Sequence, residues 1–556
     1  MTAYEGRLEL TWTNKHLSLL AHEDGSYEWV PPSDYRVAEV RLLHDADGVG
    51  ETRRTRAADN LLIRGDALNA LTSLACLPEF ADDFLGRVKL AYLDPPFNTQ
   101  QSFLHYDDAL EHSVWLTMMR DRLAQIKSLL SLDGSVWVHC DDSEQHRLRV
   151  LMDEIFGADC FVATVVWEKA DSPRNSARQF STDQDYILVY SVSTEWVPDR
   201  LPRTEESDAI YSNPDDDPEG PWLPSDPFAN KPYSKGLYEI TGPTGRTFKP
   251  PPGRYWRISE ESFRRLDSEG RIWWGPNGDA RPSIKRYLSE VADLVPRTLW
   301  SRSVVGSNRT SKNEMRALFP GETSFASPKP EALMQRVIQI ATKPGEIVLD
   351  CFLGSGTTAA VAHKMGRRWV GIERSAETVA TYARPRLQKV VAGEDPGGAT
   401  DSAGWSGGGG FRVLDVASSM FEADAGIVFL ADWMTNGALA EATAAQLGFA
   451  YEDDPPFAGR KGRSRLAVVD GVVNEAVVRL LATALPEAER VVVCGTGIDT
   501  EARPVLRELR PGSTLRKIPA ALLDEYRSAS QLSLIPRANT EPSLNGKTAV
   551  TADVEA

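Results

Sequence analysis

The sequence predicts an α/β fold built on a doubly wound sheet. Residues 88–93 (VKLAYL) and 346–350 (EIVLD) are short apolar runs without polar alternation, which is typical of strands that are buried on both faces. Helical patterns follow such runs, and strands that alternate with helices indicate βαβ units. We therefore expect a mostly parallel sheet whose strands end at a common edge.

The chain is long enough to form several structural units. It has 556 residues, of which 42% are hydrophobic, and its five cysteines lie without CxxC spacing. This usage predicts reduced thiols and no metal site. No apolar run approaches the roughly 18 residues of a membrane span, and no basic segment followed by an apolar one opens the sequence. We expect a cytoplasmic protein that makes no membrane contact.

Changes of composition divide the chain into seven segments. We predict a small strand-rich N-terminal segment (1–58), one half of the sheet (59–193), an irregular insert (194–326), the other half of the sheet (327–391), a Gly-rich linker (392–410), an acidic α/β domain (411–536) and a disordered tail (537–556).

The strand at 88–93 ends in an unusual turn. Asp94 precedes Pro95, Pro96 and Phe97, and the two prolines fix the backbone and leave carbonyl oxygens free to accept hydrogen bonds. A carboxylate, such carbonyls and a flat ring suit a planar base with an exocyclic amine. The same four letters recur at 454–457 beside charged residues, where they predict a polar loop. The tetrapeptide is therefore informative only in its context.

A second strand ends in a glycine-rich turn that opens a helix. The candidate ligand-binding residues of this turn are Asp350, Phe352, Gly354, Gly356, Thr357 and Thr358. Glycine lets the backbone approach a ligand closely, and the first amides of the helix then face that ligand. The next strand ends at Glu373, 19 residues after Gly354, where a carboxylate can bind both hydroxyls of a ribose.

A third strand pattern, 60–66 (NLLIRGD), ends at Asp66. A carboxylate at this place would lie at the edge of the sheet where ligands of open α/β folds bind. The alternative is that Asp66 is a plain helix cap.

The glycine pattern also allows a competing hypothesis. Residues 354–359 (GSGTTA) together with Glu373 fit a dinucleotide fingerprint, so an NAD-dependent oxidoreductase must be considered. A phosphate-binding P-loop does not fit, because no Gly-Lys-Ser/Thr closes the turn. Neither the Asp-Pro-Pro-Phe turn nor a basic aromatic insert has a role in hydride transfer.

Charge is unevenly distributed along the chain, whose net charge is −17. Residues 231–329 hold 18 Lys and Arg against 10 Asp and Glu, whereas residues 391–556 hold 15 against 23. Because phosphate binding needs a local basic surface, the insert is the predicted DNA-binding region. The candidate contacts are Arg254, Arg257, Arg271 and Trp273. The alternative is an irregular surface domain with buried tryptophans.

Taken together, these motifs resemble the β group of DNA amino-methyltransferases, which methylate adenine N6 or cytosine N4. Their order along residues 60–389 is Gly-Asp, Asp-Pro-Pro-Phe, insert, Lys-Pro and glycine turn, which is the permuted order of that group. The resemblance implies that 59–193 is a catalytic half containing the catalytic residues Asp94 to Phe97, that 327–391 binds the cofactor, and that 194–326 recognises the target.

The same resemblance implies S-adenosylmethionine as cofactor. It adds Lys329 and Pro330 to the cofactor-binding residues, and it places Asp66 close to the adenine of the cofactor. The leading Asp of the catalytic motif favours adenine N6 as the methylated atom, and cytosine N4 remains open. The target base would be flipped out of the duplex, and Asp94 with the Pro95 carbonyl would accept hydrogen bonds from its amine.

The layout of a core with added terminal domains resembles the modification subunit of type III restriction systems. This resemblance implies double-stranded DNA as substrate and a helicase-nuclease restriction subunit as partner, and it leaves a homodimer open. A DNA-binding defence component without activity is a further alternative.

Overall fold

The computed structural model describes residues 8–21, 26–97, 111–173, 177–322 and 325–533. The predicted tail, 537–556, lies outside these residues. The described chain forms two compact units, of which one is Pro198–Pro296 and the other contains the remaining residues.

Twenty-six strands are present in the described residues. They are β1 (Ser18–Ala21), β2 (Tyr27–Val30), β3 (Leu43–Gly50), β4 (Asn60–Arg64), β5 (Val88–Leu93), β6 (Leu130–Cys140), β7 (Phe161–Glu168), β8 (Gln184–Ser191), β9 (Trp222–Ser225), β10 (Phe228–Ala229), β11 (Ile240–Thr241), β12 (Thr247–Phe248), β13 (Tyr255–Trp256), β14 (Ile272–Trp273), β15 (Ser283–Tyr287), β16 (Leu299–Trp300), β17 (Ile347–Asp350), β18 (Arg368–Glu373), β19 (Gly410–Val416), β20 (Phe421–Asp424), β21 (Ile427–Leu430), β22 (Ala450–Asp454), β23 (Phe457–Lys461), β24 (Ser464–Val473), β25 (Arg490–Ile498) and β26 (Thr514–Lys517).

The α-helices of the described residues connect and cover these strands. They are α1 (Tyr35–Ala38), α2 (Ala67–Cys76), α3 (Pro78–Phe84), α4 (His112–Leu129), α5 (Gln145–Phe156), α6 (Glu205–Asp208), α7 (Glu260–Ser268), α8 (Arg302–Val305), α9 (Asn308–Leu318), α10 (Glu331–Ala341), α11 (Thr357–Lys364), α12 (Ala376–Thr378), α13 (Arg384–Ala392), α14 (Thr400–Ala403), α15 (Asn436–Leu447), α16 (Glu475–Ala484), α17 (Ala502–Leu509) and α18 (Ala520–Ser533).

The larger unit is organised around a ten-stranded mixed sheet with the strand order β16-β7-β8-β6-β5-β17-β18-β4-β19-β3. Its central strands, β6, β5, β17, β18, β4 and β19, are parallel. All four residues of β17 are buried, as are five of the six residues of β5, which explains why neither sequence alternates. The predicted α/β fold class is confirmed.

The chain winds in two directions from the centre of this sheet. From β5 it proceeds to the neighbouring β6, whereas from β17 it proceeds to β18 on the opposite side. The adjacent β5 and β17 therefore form a topological switch point, where ligands of open α/β sheets bind outside the carboxyl ends of the strands. Asp94 follows β5 and Asp350 ends β17, so the two carboxylates lie at the ends of neighbouring parallel strands.

Both terminal regions contribute strands to this sheet. β19 is parallel to β4, and β3 pairs antiparallel with β19 at the edge. The predicted N-terminal segment (1–58) thus includes an edge strand of the central sheet, and the predicted domain 411–536 begins with a strand of the same sheet. The predicted linker (392–410) contains α14 and the first residue of β19. Pairing β3 with β19 satisfies backbone groups that a free sheet edge would leave unpaired.

The C-terminal region adds a second sheet with the order β22-β23-β24-β25-β26. The second Asp-Pro-Pro-Phe copy lies between β22 and β23, which pair antiparallel with Asp454 opposite Phe457. The predicted polar loop is therefore a hairpin turn in this sheet. Its Phe457 is buried in the hydrophobic core that the sheet forms with α16 and α17.

The smaller unit, Pro198–Pro296, is built from short antiparallel strands and α7. Its core is rich in aromatic residues and includes Phe228, Trp256, Phe263 and Trp274. The unit is shorter than the predicted insert (194–326), because α8 and α9 belong to the larger unit. Among the described residues of both units, no helix has the length and apolarity that crossing a bilayer requires.

Candidate active site

Four strands of the central sheet end beside one cavity of about 1190 Å³. The carboxyl ends of β4, β5, β17 and β18 carry Asp66, Asp94, Asp350 and Glu373, and all four carboxylates line the cavity. The other predicted site residues that line it are Pro95, Pro96, Phe97, Lys329, Phe352, Gly354, Thr357 and Thr358. Two further predicted residues, Pro330 and Gly356, are the N-caps of α10 and α11.

The turn after β5 is anchored to the surrounding protein. Trp115 of α4 donates a hydrogen bond from Nε1 to the Pro96 carbonyl at 2.6 Å. The Phe97 ring stacks on His139 of β6, with centroids 5.5 Å apart and planes 18° apart. The His139 ring is in turn hydrogen-bonded to the Tyr92 hydroxyl at 2.9 Å. These contacts fix the position of the backbone turn and of the ring before any ligand binds.

His139 is fully buried beneath Phe97. Burial lowers the pKa of the His139 imidazole, and the positive charge of Lys329 lowers it further, against the opposing effect of Asp185. The imidazole is therefore neutral near pH 7, as suits a ring that supports an aromatic stack.

The Asp94 carboxylate has two unlike oxygens. Oδ2 accepts a hydrogen bond from the Lys329 ammonium. Oδ1 is buried and has no hydrogen-bond partner among the residues that the structure describes. The same ammonium lies over the Phe97 ring, 5.1 Å from its centroid. Lys329, which the family resemblance assigns to the cofactor, thus contacts the predicted catalytic residues.

The carboxylate at the end of β18 is held by backbone amides. Glu373 accepts hydrogen bonds from the Gly354 amide (2.9 Å, Oε2) and from the Ser375 amide (2.9 Å, Oε1). Burial raises the pKa of the Glu373 carboxyl, and these two amides oppose the shift. The bond to Gly354 ties this carboxylate of the predicted ribose site to the glycine turn.

Asp350 lies at the end of β17, between the strands whose ends carry Asp94 and Glu373. Burial raises the pKa of its carboxyl to about 7, and hydrogen bonds from the Thr358 hydroxyl and the Phe352 amide oppose the shift. The nearby charges of Asp94 and Glu373 raise this pKa further. The charges of Asp94 and Glu373 therefore make the potential at Asp350 more negative, which favours a cationic ligand at that place.

The glycine turn requires its glycines for steric reasons. Gly354 and Gly356 both have positive φ, 53° and 82°. A Cβ on Gly354 would lie 3.3 Å from the Phe325 ring, and a Cβ on Gly356 would lie 3.3 Å from the Ala383 Cα. Both positions thus need a residue without a side chain.

A buried network of charges supports this turn from behind. Arg386 donates hydrogen bonds to the Thr357 hydroxyl at 2.8 Å and to Glu331 at 2.7 Å. Glu331 also accepts from Lys364 at 2.7 Å, and Lys364 pairs with Asp395 at 2.7 Å. Desolvation opposes ionisation of Glu331, but the two cations lower its pKa overall. This network could not be found in the sequence, because its members are separated by up to 64 positions and belong to no local pattern.

Asp66 fits both interpretations made from the sequence. It is the N-cap of α2 and accepts a hydrogen bond from the Leu68 amide at 2.8 Å. It also lines the cavity and receives two hydrogen bonds from Arg122, at 3.1 and 3.2 Å. Arg122 is a further residue that the sequence did not single out.

The four predicted DNA contacts lie in the smaller unit and have partners there. Arg254 donates to Asp226 at 2.7 Å, Arg271 pairs with Glu290, and the Trp273 ring packs on Trp222 at 5.4 Å. Arg257 is exposed, and its guanidinium donates one hydrogen bond within the described residues, to the Phe228 carbonyl at 3.4 Å. Of the three arginines, Arg257 has the freest guanidinium.

Comparison with known proteins places these features in context. The sequence profile of a family described as DNA methylase matches residues 88–384. The probable type III restriction-modification enzyme HindVI Mod subunit of Haemophilus influenzae is 31% identical over 445 residues, which cover 67% of this chain and 57% of that protein. The type III restriction-modification enzyme StyLTI Mod subunit of Salmonella typhimurium is 30% identical over 332 residues, covering 54% and 49%.

The type II methyltransferase M.EcaI of Enterobacter cloacae is 29% identical over 307 residues, covering 52% of this chain and 62% of that protein. The chain thus spans about half to two thirds of the length of these three relatives.

Proposed function

The chain belongs to the DNA methylase family, whose profile matches more than half of it, and we propose that it transfers a methyl group from S-adenosylmethionine to adenine N6 in double-stranded DNA. One observation carries this proposal. The Asp94 to Phe97 turn and the carboxylates Asp350 and Glu373 line a single cavity at the switch point of the sheet. The proposed site for a base and the proposed site for a nucleoside cofactor would thus be adjacent.

The residues of the glycine-turn side fit S-adenosylmethionine. Glu373 presents a carboxylate that the Gly354 amide orients, as binding to ribose hydroxyls requires. Gly354 gives the turn its positive φ, and the negative potential around Asp350 suits a cationic cofactor. Asp66 would accept a hydrogen bond from the adenine amine. When bound, the cofactor supplies an electrophilic methyl group on a sulfonium.

The residues of the Asp94 side fit a flipped-out base. A stacked base cannot present its amine inside a protein cavity, so it must leave the duplex. The base would stack on Phe97, whose other face is supported by His139. Asp94 and the Pro95 carbonyl would accept hydrogen bonds from N6, which directs the nitrogen lone pair toward the methyl group.

Methyl transfer then needs alignment and charge stabilisation at Asp94. Transfer would form the N–C bond as the S–C bond breaks, and this would move positive charge from sulfur to N6. The Asp94 carboxylate stabilises this charge at hydrogen-bond distance and accepts the proton that N6 must release. A proton on Asp94 is returned to water when the product leaves.

The choice of adenine and the biological setting rest on two further facts. The motif begins with Asp rather than Ser, which favours adenine, and two of the relatives are named Mod subunits of type III restriction-modification enzymes. We therefore include a restriction-modification role, with a helicase-nuclease subunit as partner, in the proposal. Recognition of the DNA sequence is assigned to the smaller unit, with Arg257 as its most accessible predicted contact.

An oxidoreductase is the second candidate, because the glycine turn and Glu373 also fit NAD. A binding titration separates the two. S-adenosylhomocysteine should bind the purified protein and should not be displaced by NAD. Displacement by NAD at similar concentration would support the oxidoreductase instead.

The proposal is tested by incubating the purified protein with unmethylated genomic DNA and S-adenosylmethionine, then digesting the DNA and identifying the modified nucleosides. We expect N6-methyladenine. N4-methylcytosine would keep the mechanism and change the base. A protein that binds cofactor and DNA but modifies neither base would contradict the proposed activity and favour the inactive defence component.

A further inference from the structure

We propose that Lys329 occupies the place of the target amine in the substrate-free protein and must leave Asp94 before methyl transfer. The inference rests on the proposed function, since it takes Asp94 as the acceptor for the amine of the base. It changes the role of a residue that the sequence pattern assigns to the cofactor.

The ammonium of Lys329 makes two of the contacts that the proposed mechanism gives to the base, one to its amine and one to its ring. It donates a hydrogen bond to Oδ2 of Asp94, and it lies over the Phe97 ring at 5.1 Å from the centroid. A cation above an aromatic ring and a base stacked on that ring use the same attractive surface. The lysine therefore imitates the ligand.

Desolvation of Asp94 explains why the Lys329 ammonium is stabilising in the place of the base. The Lys329 side chain is 8% exposed and the Asp94 side chain is 21% exposed. A carboxylate in such a setting costs free energy unless a partner compensates it. Oδ1 has no partner among the described residues, so Lys329 is the described group that compensates the charge of Asp94.

Electrostatic repulsion explains why the Lys329 ammonium has to leave Asp94. Methyl transfer places positive charge on N6, at the carboxylate that Lys329 already contacts. Two positive groups that share one carboxylate repel each other strongly in a poorly solvated site. With Lys329 displaced, both oxygens of Asp94 are available to the amine.

The cavity wall offers other acceptors for the displaced ammonium. Asp141, Asp142 and Asp185 line the same cavity on the side of β6 and β8. Asp185 is already paired with Lys169 at 2.5 Å, which leaves the half-buried Asp141 and the exposed Asp142 as the carboxylates toward which Lys329 can swing.

The consequence for binding is competition. Part of the binding free energy of the flipped base is used to displace Lys329. The apparent affinity for the base is therefore the intrinsic affinity multiplied by the fraction of molecules in which Lys329 has already left Asp94. DNA that lacks the target base does not need this displacement. The effect of Lys329 on the affinity for DNA should therefore depend on the presence of the target base.

A double comparison measures this dependence. The methylated sequence is first mapped in genomic DNA treated with the wild-type protein. Two duplexes are then made, one with the target adenine and one with an abasic site in its place. Dissociation constants of both are measured for the full-length protein with S-adenosylhomocysteine present, for wild type, Lys329→Met and Lys329→Arg.

We expect Lys329→Met to raise the preference for adenine over the abasic site by about tenfold, with the affinity for S-adenosylhomocysteine unchanged. Lys329→Arg keeps a cation at Asp94 and should leave the preference at or below that of wild type. Lys312→Met is the matched control, because Lys312 lines the same cavity, is exposed and lies outside the Asp94 contact. It should leave the preference unchanged.

Two results would overturn the inference while the enzyme still methylates DNA. One is an unchanged or smaller preference in a folded Lys329→Met protein, as expected if Lys329 holds Asp94 during catalysis. The other is a weakened affinity for S-adenosylhomocysteine, as expected of a cofactor-binding residue. Absence of methylation by the wild-type protein would overturn the proposed function and this inference together.

Discussion

The tetrapeptide Asp-Pro-Pro-Phe occurs twice in this chain, in two different environments. The copy at 94–97 follows a buried parallel strand and ends in a cavity. The copy at 454–457 connects two antiparallel strands, with Asp454 and both prolines exposed. Phe97 supports the wall of a site, whereas Phe457 packs in a hydrophobic core.

This difference shows that the four residues specify a rigid turn and no more. The chemistry comes from the surroundings of the first copy, which are the switch point between β5 and β17, the Lys329 ammonium and the Trp115 anchor. The second copy is a built-in control, since it has the same side chains without that environment.

The phenylalanines of the two copies give the largest expected contrast. Phe97→Ala removes the stacking surface of the base, and we expect kcat/KM for DNA methylation to fall by about 100-fold, or about 2.7 kcal/mol. Phe457→Ala opens a cavity in the core and should lower the free energy of unfolding by about 3 kcal/mol. Methylation assays below the melting temperature and urea unfolding measure the two effects. Equal loss of activity in both variants would contradict the different roles given to the two phenylalanines.

The environment of the first copy also predicts a pH dependence of stability. The pKa of Asp350 is raised to about 7 by burial, so the folded state binds a proton that the unfolded state releases above about pH 4. Stability from this group is therefore present at low pH and is lost as pH rises through about 7. We expect a decrease of about 2 kcal/mol between pH 5 and pH 8.

Asp350→Asn should reduce this pH dependence, measured by urea unfolding at several pH values. Asp454→Asn, at an exposed position of the second copy, serves as the control and should keep the wild-type slope. A slope in Asp350→Asn equal to that of the wild type would mean that another group causes it.

The backbone anchor of the first copy is expected to have a smaller effect. Trp115→Phe keeps most of the buried ring and removes the hydrogen bond to the Pro96 carbonyl. We expect a loss of about tenfold in kcat, because the turn that positions Asp94 becomes looser. Binding of S-adenosylhomocysteine should be unaffected, and a matching loss there would instead indicate general unfolding of the site.

The smallest expected effect concerns the other unit, which contains neither copy. Arg257→Ala removes an exposed guanidinium, and we expect DNA affinity to fall by about three- to fivefold, with the salt dependence of binding reduced by about one phosphate contact. Arg254→Ala breaks the ion pair with Asp226 and should lower thermal stability as well. If Arg257→Ala leaves the salt dependence unchanged, Arg257 does not contact phosphate.

The sequence predicted those features that depend on local pattern and on strand ends. Asp66, Asp94, Asp350 and Glu373 each follow an apolar strand, and parallel strands bring their ends to one edge, so their common cavity could be expected. β3 was harder to predict, because seven of its eight residues are exposed or half-buried and it has no buried face. Its place in the sheet comes from pairing with β19, 360 positions later.

Contacts between side chains could not be predicted in this way. Lys329 and Asp94 are 235 positions apart, and nothing in either motif states that the ammonium reaches the carboxylate. Charge counting indicated a basic insert, but it could not show that Arg254 and Arg271 are paired with Asp226 and Glu290. Pairing depends on tertiary structure, and composition does not contain it.

The most direct test of this account compares Asp94→Ala with Asp454→Ala in the nucleoside assay, after S-adenosylhomocysteine binding has shown that both variants are folded. We predict that the Asp454→Ala protein forms N6-methyladenine at the wild-type rate, whereas Asp94→Ala loses about 100-fold or more of the activity. Wild-type methylation by Asp94→Ala would contradict the account, because the amine of the base would then need no acceptor at the end of β5.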